Sequence, residues 1–398
     1  MKDRNNGTAI NASAMRPRTL LFSRRNAARM LPFRCAHSEF EDVISEVDSV
    51  EFTAPRVDHT TPRYQYAKML AYHTPLVLNP GVERKSLDSD YDLFFAICGD
   101  PSDLLAISTL GNWRSRCKKA VCVIDELWVR QMPAYDNFLK MLRQFDLVCL
   151  YYCQSVEPLN KIIGNKCIYL PPAVDTIRFC PYPDPPERVV DIYSIGRRSA
   201  ITHEALMQLA ARENLFYVYD STSADRVFDP IQHRELYART LKRSRYFIVN
   251  PGLIDRPDIR GNQIEIGYRY FDGIAAGAIN IGERPTNDVF PQLFDWDDSV
   301  IHFPYNSTHF EELVQDLEND PEREAWIRCT NVQHALLRHD FVYRWETILK
   351  AINLEALPAL AERKARLHEL AELAMQALPG RVTAPRGSKL QRVASLKK

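Results

Sequence analysis

The sequence predicts an α/β protein with two domains, each built on a parallel sheet. Short apolar runs that mostly do not alternate with polar residues are typical of strands covered on both faces, and helical patterns separate these runs. Such alternation of strand and helix favours parallel sheets with right-handed crossovers. A proline-rich break near the middle of the 398 residues divides the elements into two series.

The first series is predicted to form a domain over residues 17–180, after a disordered leader at 1–16. Its strands are expected at Thr19–Phe22, Val50–Phe52, Leu93–Ile97, Ala120–Ile124, Leu147–Tyr151 and Cys167–Leu170. The helical patterns between them are Ser38–Val47, Asp103–Leu110, Tyr135–Gln144 and Val156–Ile163.

The break holds six prolines within residues 171–186, which neither a helix interior nor a central strand accommodates. We interpret 181–186 as a linker to a second domain over 187–335. The strands of this domain are expected at Val189–Ile195, Leu215–Tyr219, Tyr246–Asn250, Ala278–Ile281 and Val300–Phe303. Helical patterns continue through the C-terminal helices at 336–378, and a basic, disordered tail is expected at 379–398.

Composition argues against several classes of protein. Lys plus Arg and Asp plus Glu both total 51, and this zero net charge argues against a nucleic-acid partner. The nine cysteines form no Cys-x-x-Cys pair, which fits a reducing cytoplasm. No apolar run approaches the length of a membrane span. The expected location is therefore cytoplasmic, with weak contact between the basic tail and an anionic membrane surface as an alternative.

Residues 268–281 carry the clearest functional pattern. A short helix that holds Arg269 and Asp272 ends near Gly277, and the chain then passes directly into a buried strand. This segment resembles the nucleotide-sugar-binding segment of group 1 glycosyltransferases, where Arg-x-Phe-Glu followed by Ala-x-x-Gly holds the ribose of the donor. Asp272 stands at the position of the family's Glu. The alternatives are an Asp272 that faces solvent and an Arg269 that pairs with Asp272 along the helix.

Two further stretches extend this resemblance, at residues 169–179 and 338–345, so that it covers about residues 169–352. The resemblance implies the GT-B fold: two Rossmann-like domains with parallel sheets that face a central cleft, and C-terminal helices that cross back to the first domain. It also implies that arginines take the place of a metal ion at the donor diphosphate, so no cofactor or metal is expected.

The resemblance assigns two more donor-site elements. The family's Gly-Arg loop faces the donor diphosphate, which here implies Gly196, Arg197 and Arg198, with a turn of solvated arginines as the alternative. Many retaining members also carry an acid eight residues before the ribose-binding acid. Glu265 lies seven residues before Asp272, so it is either a catalytic donor-site acid reached by a changed loop or a solvated residue.

The first domain would supply the acceptor site. His37 follows the first strand, where it could act in catalysis by orienting an acceptor hydroxyl. A histidine that satisfies backbone groups at a helix start is the alternative. Acidic residues that follow the strands at Leu93–Ile97 and Ala120–Ile124, namely Asp100, Asp125 and Glu126, could also line the cleft.

The resemblance thus implies a metal-independent transferase that moves a sugar from a nucleotide-sugar donor to a glycan, lipid or other acceptor, with retention of the anomeric configuration. Two alternatives are kept. One is a non-catalytic GT-B-like module that binds a nucleotide or glycan in a polysaccharide assembly system. The other is a GT-B-fold sugar-nucleotide epimerase, which would interconvert the donor without an acceptor.

Overall fold

The computed structural model describes residues 17–28, 30–219 and 227–378, and two parallel sheets of five or more strands lie within them. The α/β class with parallel sheets is therefore confirmed. The predicted leader at 1–16 and the predicted tail at 379–398 lie outside the described residues.

The first sheet has six parallel strands in the order β2-β1-β4-β6-β7-β8. A separate pair, β3 and β5, was not expected from the sequence. The strands of this half are β1 (Thr19–Phe22), β2 (Val50–Thr53), β3 (Lys85–Ser86), β4 (Tyr91–Cys98), β5 (Leu110–Gly111), β6 (Cys117–Ile124), β7 (Leu147–Leu150) and β8 (Cys167–Tyr169). In the central strands β4 and β6, the predicted runs Leu93–Ile97 and Ala120–Ile124 are fully buried, which explains why they are apolar without alternation.

The helices of the first half are α1 (Cys35–Val47), α2 (Pro62–His73), α3 (Leu104–Ile107), α4 (Trp113–Arg116), α5 (Asp136–Met141), α6 (Val156–Ile163) and α7 (Thr176–Phe179). The predicted helix over Asp103–Leu110 is shorter than expected: a 3-10 turn precedes α3, α3 is a single turn, and the chain then enters β5. The helix α2 was not predicted from the sequence. This helix presents few apolar residues to the core, although Thr61 caps its first turn.

The second sheet has five parallel strands in the order β10-β9-β11-β12-β13. These are β9 (Val190–Ser194), β10 (Tyr217–Val218), β11 (Ser244–Val249), β12 (Ile279–Gly282) and β13 (Ile301–His302). The helices of this half are α8 (Ala200–Glu213), α9 (Pro230–Lys242), α10 (Pro257–Arg260), α11 (Tyr268–Ala275), α12 (Phe290–Leu293), α13 (Phe310–Glu318), α14 (Pro321–Arg338), α15 (Phe341–Ala351) and α16 (Pro358–Gln376).

The last helices return to the first sheet, as the resemblance implied. Phe341 of α15 stacks on Phe40 of α1 with ring centroids 4.7 Å apart. Trp345 packs edge-on against Phe95 of β4 and donates from Nε1 to Asp48 Oδ2 at 3.0 Å. Apolar side chains of α14, α15 and α16 therefore complete the core on one face of the first sheet. None of the described helices is both long enough and apolar enough to cross a membrane.

Candidate functional site

The loops that follow the strands of the two sheets meet between the domains. Gly252, just after β11, lies against the first domain: a methyl group on its Cα would sit 3.7 Å from Trp128 and from the Tyr152 hydroxyl. Ligands of open α/β sheets bind beyond the carboxyl ends of the strands. The candidate site is therefore this cleft, and the sequence-predicted residues are placed relative to it below.

Gly196, Arg197 and Arg269 come together at the end of β9. Gly196 has a φ of +76°, a conformation that favours glycine. Arg269, on the first turn of α11, donates from Nη1 to the Ile195 carbonyl at 2.7 Å and from Nη2 to the Asn250 carbonyl at 3.4 Å. Arg269 therefore fixes the loop after β9 to the end of β11, and it forms no pair with Asp272 among the described residues.

The two loop arginines have different surroundings. Arg197 has a half-exposed side chain and donates to Asp255 Oδ2 at 3.3 Å. Its charge also reaches Glu126 of the first domain, so Arg197 borders the cleft. The Arg198 guanidinium lies 5.4 Å from the centroid of the Tyr219 ring, beside the cavity at the ends of β9, β11 and β13.

Asp272 is buried and paired, in contrast to the exposed helix residue that was the alternative reading. It lies on the second turn of α11. Only 2% of Asp272 is exposed; Oδ1 accepts from Arg234 Nη2 at 2.9 Å and Oδ2 from the Tyr237 hydroxyl at 3.2 Å. Burial raises the pKa of Asp272 to about 6 against the opposing charge of Arg234. The Arg234 side chain also forms two hydrogen bonds with Glu39 of α1, so Asp272 belongs to an ion network that spans both domains.

Glu265 joins the two domains and is not solvated. Its exposed fraction is 1%, and its carboxylate accepts from the backbone N–H groups of Cys153 and Gln154 at 3.0 and 3.1 Å. Gln263 donates to Glu265 Oε1 at 2.8 Å and accepts from the Val129 N–H at 2.9 Å. Burial raises the pKa of Glu265, while these hydrogen bonds oppose the rise. Whether Glu265 also contacts a donor sugar stays a prediction.

His37 pairs with an acid and does not serve the backbone at the helix start. It is 6% exposed, and its Nε2 lies 2.7 Å from Oδ2 of Asp125, which directly follows β6. His37 Nδ1 makes no hydrogen bond within the described residues. Burial and the charges of Asp125 and Asp100 raise the pKa of the neighbouring Glu126 to about 7, against the opposing charges of Arg34 and Arg197. A buried acid thus orients an imidazole at the cleft, which is the arrangement of a general base.

Pairs of acids with the spacing Asp-x-Asp, which can hold a divalent metal ion, occur in the chain at 88–90, 90–92 and 295–297. Asp90 and Asp92 pair with Arg116 and Lys118 near the amino end of β4, away from the cleft. Within the described ranges no three His, Cys, Asp or Glu side chains are grouped as ligands of one ion.

Four residues at the site were not predicted from the sequence: Glu39, Arg234, Asn250 and Glu283. Glu39 and Arg234 lie on helices whose sequences give no functional pattern. Asn250 and Glu283 follow β11 and β12 directly, so the rule that ligands bind beyond strand ends could have found both.

A family model described as "Glycosyl transferase-like" matches residues 202–350, most of the second domain together with α14 and α15. Among solved structures, an alpha-glucosyltransferase in complex with UDP and a 13-mer DNA with a central A:G mismatch is 12% identical. That alignment covers 84% of this chain and 99% of the other, with a TM-score of 0.50.

TarM from S. aureus is 12% identical to this chain, with a TM-score of 0.42. The alignment covers 65% of this chain, which spans about half (55%) of the length of TarM. HepE from Anabaena, in complex with UDP-glucose, is 10% identical over 84% of this chain and 99% of the other, with a TM-score of 0.47. No curated protein matches the sequence.

The fold is GT-B, with two Rossmann-like domains and C-terminal helices that cross back to the first. The predicted resemblance to group 1 glycosyltransferases is confirmed: residues 202–350 match a glycosyl transferase-like family, and the fold of both domains agrees.

Proposed function

We propose that this protein is a metal-independent glycosyltransferase that moves a sugar from a nucleotide-sugar donor to a glycan, lipid or other acceptor. The observation that carries the proposal is that two groups with different chemical roles lie on opposite sides of one cleft. An arginine-bearing loop, fixed by Arg269, lies on one side, and the His37–Asp125 pair lies on the other.

The loop suits a departing nucleoside diphosphate. Arg197 and Arg198 precede α8, a helix of 14 residues whose N-terminal N–H groups add positive potential, and Ser199 caps this helix. Fixed positive charge next to the diphosphate stabilises the negative charge that develops as the glycosidic bond breaks. Uridine diphosphate is the first donor nucleotide to test, because the alpha-glucosyltransferase that shares the fold is in complex with UDP. The DNA of that complex is not carried over, since this chain has zero net charge.

His37 is placed to act as a base on the acceptor. If the imidazole N–H at Nε2 donates to Asp125, the unpaired Nδ1 is free to take the proton of an acceptor hydroxyl. Retention of the anomeric configuration follows from the family resemblance. The paired histidine favours a second outcome, inversion, because direct displacement by the acceptor needs a base for its proton.

The test is incubation of the protein with radiolabelled nucleotide sugars and a panel of acceptors. We expect transfer or slow hydrolysis, and His37→Gln should lower the transfer rate by about 10²–10⁴ with little change in donor affinity. The anomeric configuration of the product, read by NMR, decides between retention and inversion.

The two alternatives have their own signatures in the same assay. Tight nucleotide binding without turnover on any acceptor would support the non-catalytic module. Interconversion of the donor sugar without an acceptor would support the epimerase. Contact of the basic tail with a membrane surface remains a separate proposal, tested by co-sedimentation with anionic vesicles.

A further inference from the structure

Glu283 is an acid with a fixed backbone whose carboxylate has no partner among the described residues. It directly follows β12, and its backbone is held on both sides. Its N–H donates to Asn250 Oδ1 at 3.2 Å, and its carbonyl accepts from the Tyr270 hydroxyl at 2.5 Å. The carboxylate makes no hydrogen bond or ion pair within the described part of the chain, although Oε2 is buried.

The unpaired, buried oxygen of Glu283 destabilises the folded protein when no ligand is bound. A buried carboxylate oxygen without a donor loses its hydration and gains nothing in exchange, and native proteins rarely leave such groups unsatisfied. The backbone contacts of Glu283 keep the side chain at the end of β12. The hydrogen-bond donors for Oε2 therefore come from outside the described residues, as a ligand or as water.

The neighbours of Glu283 indicate which kind of ligand it binds. Asn250 contacts Glu283 through its side chain and Arg269 through its carbonyl, and Arg269 in turn holds the loop of Gly196 and Arg197. The unpaired acid therefore lies in the same constellation as the arginines. Arginines suit phosphate oxygens, whereas a carboxylate accepts hydrogen bonds from hydroxyl groups. A nucleotide sugar carries both kinds of group.

We propose that Glu283, rather than Asp272, accepts hydrogen bonds from hydroxyl groups of the donor. Both oxygens of Asp272 are already occupied, by Arg234 and by Tyr237, whereas no described residue donates to the Glu283 carboxylate. This inference rests on the proposed function, since it assumes a nucleotide-sugar donor. The hydroxyl groups belong either to the ribose or to the transferred sugar.

The experiment measures calorimetric affinities of wild type, Glu283→Gln and Asp272→Asn for UDP, 2′-deoxy-UDP and UDP-glucose, together with thermal unfolding without ligand. Glu362→Gln is the matched control, because Glu362 is exposed on α16. We expect Glu283→Gln to weaken donor binding by about tenfold or more without lowering the unfolding temperature, because it removes an unpaired charge. We expect Asp272→Asn to lower the unfolding temperature, because it breaks a buried pair.

The ligand series identifies the hydroxyl source. If the ribose is bound, Glu283→Gln weakens UDP binding, and wild type already binds 2′-deoxy-UDP more weakly. If the transferred sugar is bound, the variant loses affinity for UDP-glucose but not for UDP. Wild-type affinity of Glu283→Gln for all three ligands, or a clear loss of thermal stability, would overturn the inference. Failure of wild type to bind any of them would instead overturn the proposed function and, with it, this inference.

Discussion

At the scale of single residues, the cleft depends on charged side chains whose neighbours decide what they do. The charge of Arg197 acts on Glu126 of the first domain, whereas the Arg198 guanidinium lies against the Tyr219 ring within its own domain. We therefore expect Arg197 to reach a diphosphate in the cleft more freely than Arg198 does.

We expect Arg197→Ala to weaken binding of a nucleoside diphosphate by about 1.5–3 kcal/mol, the range of a charge-assisted hydrogen bond. Arg198→Ala should have a smaller effect, because its guanidinium already contacts an aromatic ring. Calorimetry with UDP measures both, and Arg212→Ala, at the far end of α8, is the control. Unchanged affinity in both loop variants would rule out this loop as the diphosphate site.

His59 should give the stability of the protein a pH dependence. Arg24 Nη2 lies 2.6 Å from His59 Nε2, and burial together with the Arg24 charge lowers the pKa of His59 to about 4. The unfolded chain, with a pKa near 6.5, takes up a proton first as the pH falls. Folding stability from this group is therefore present above about pH 6.5 and is lost between about pH 6.5 and 4.

The measurement is urea unfolding of wild type and His59→Gln across that pH range. Gln keeps a hydrogen-bond acceptor for Arg24 but does not titrate. As the pH falls, the free energy of unfolding of wild type should decrease by on the order of 2–3 kcal/mol more than that of the variant. Parallel pH profiles for the two proteins would contradict a neutral, buried His59.

At the scale of elements, α11 is placed by its close approach to the second sheet. A methyl group on Gly273 would lie 1.9 Å from Asn280 Oδ1 and 2.9 Å from Phe247, so only glycine fits there. The Asn280 side chain also donates to the Tyr270 carbonyl of α11 at 2.9 Å. This contact sets the depth of the helix that carries Arg269 and Asp272.

Gly273→Ala should destabilise the protein by several kcal/mol, because overpacking outweighs the gain of at most about 1 kcal/mol in helix propensity. Gly267→Ala is the matched control, since a methyl group there meets no atom within 4 Å and its φ is −87°. Chemical denaturation measures both variants. Equal stability of the two would show that α11 does not pack closely on the sheet.

At the scale of the whole molecule, buried ion pairs join segments that are distant in the sequence. Arg363 of α16 donates to both oxygens of Asp340 at 2.9 Å and to Asp175, near the linker, at 2.6 Å. Glu39 of the first domain accepts from the Asp175 N–H at 2.8 Å and from Arg234 of the second domain. The C-terminal helices, the linker and both domains are thus tied through one network.

Arg363→Ala should lower the free energy of unfolding by about 3–5 kcal/mol, because it removes the guanidinium that pairs with the buried carboxylates of Asp340 and Asp175. Arg366→Ala, on the exposed face of the same helix, should change it by no more than about 0.5 kcal/mol. Urea denaturation of the two variants measures the difference. A similar, small effect of both would mean that α16 contributes little to the joint core.

The sequence by itself determined the class of the protein, the positions of most long strands and the loop of Gly196. Apolar runs predict buried parallel strands because both faces of these sheets are covered, and the φ of +76° at Gly196 agrees with a glycine at the turn. The helices α2 and α4 and the strand pair of β3 and β5 escaped prediction, because few of their residues form a regular apolar pattern.

Only the tertiary structure decided what each predicted acid does. The carboxylate of Asp272 is occupied by Arg234, which lies 38 residues earlier in the chain, and Glu265 binds backbone N–H groups more than 100 residues away. The His37–Asp125 pair likewise joins residues 88 positions apart. A local pattern records which residues share an element, whereas the partner of a buried charge is set by the packing of separate elements. For this reason the lack of a described donor to the Glu283 carboxylate becomes visible only in the folded protein.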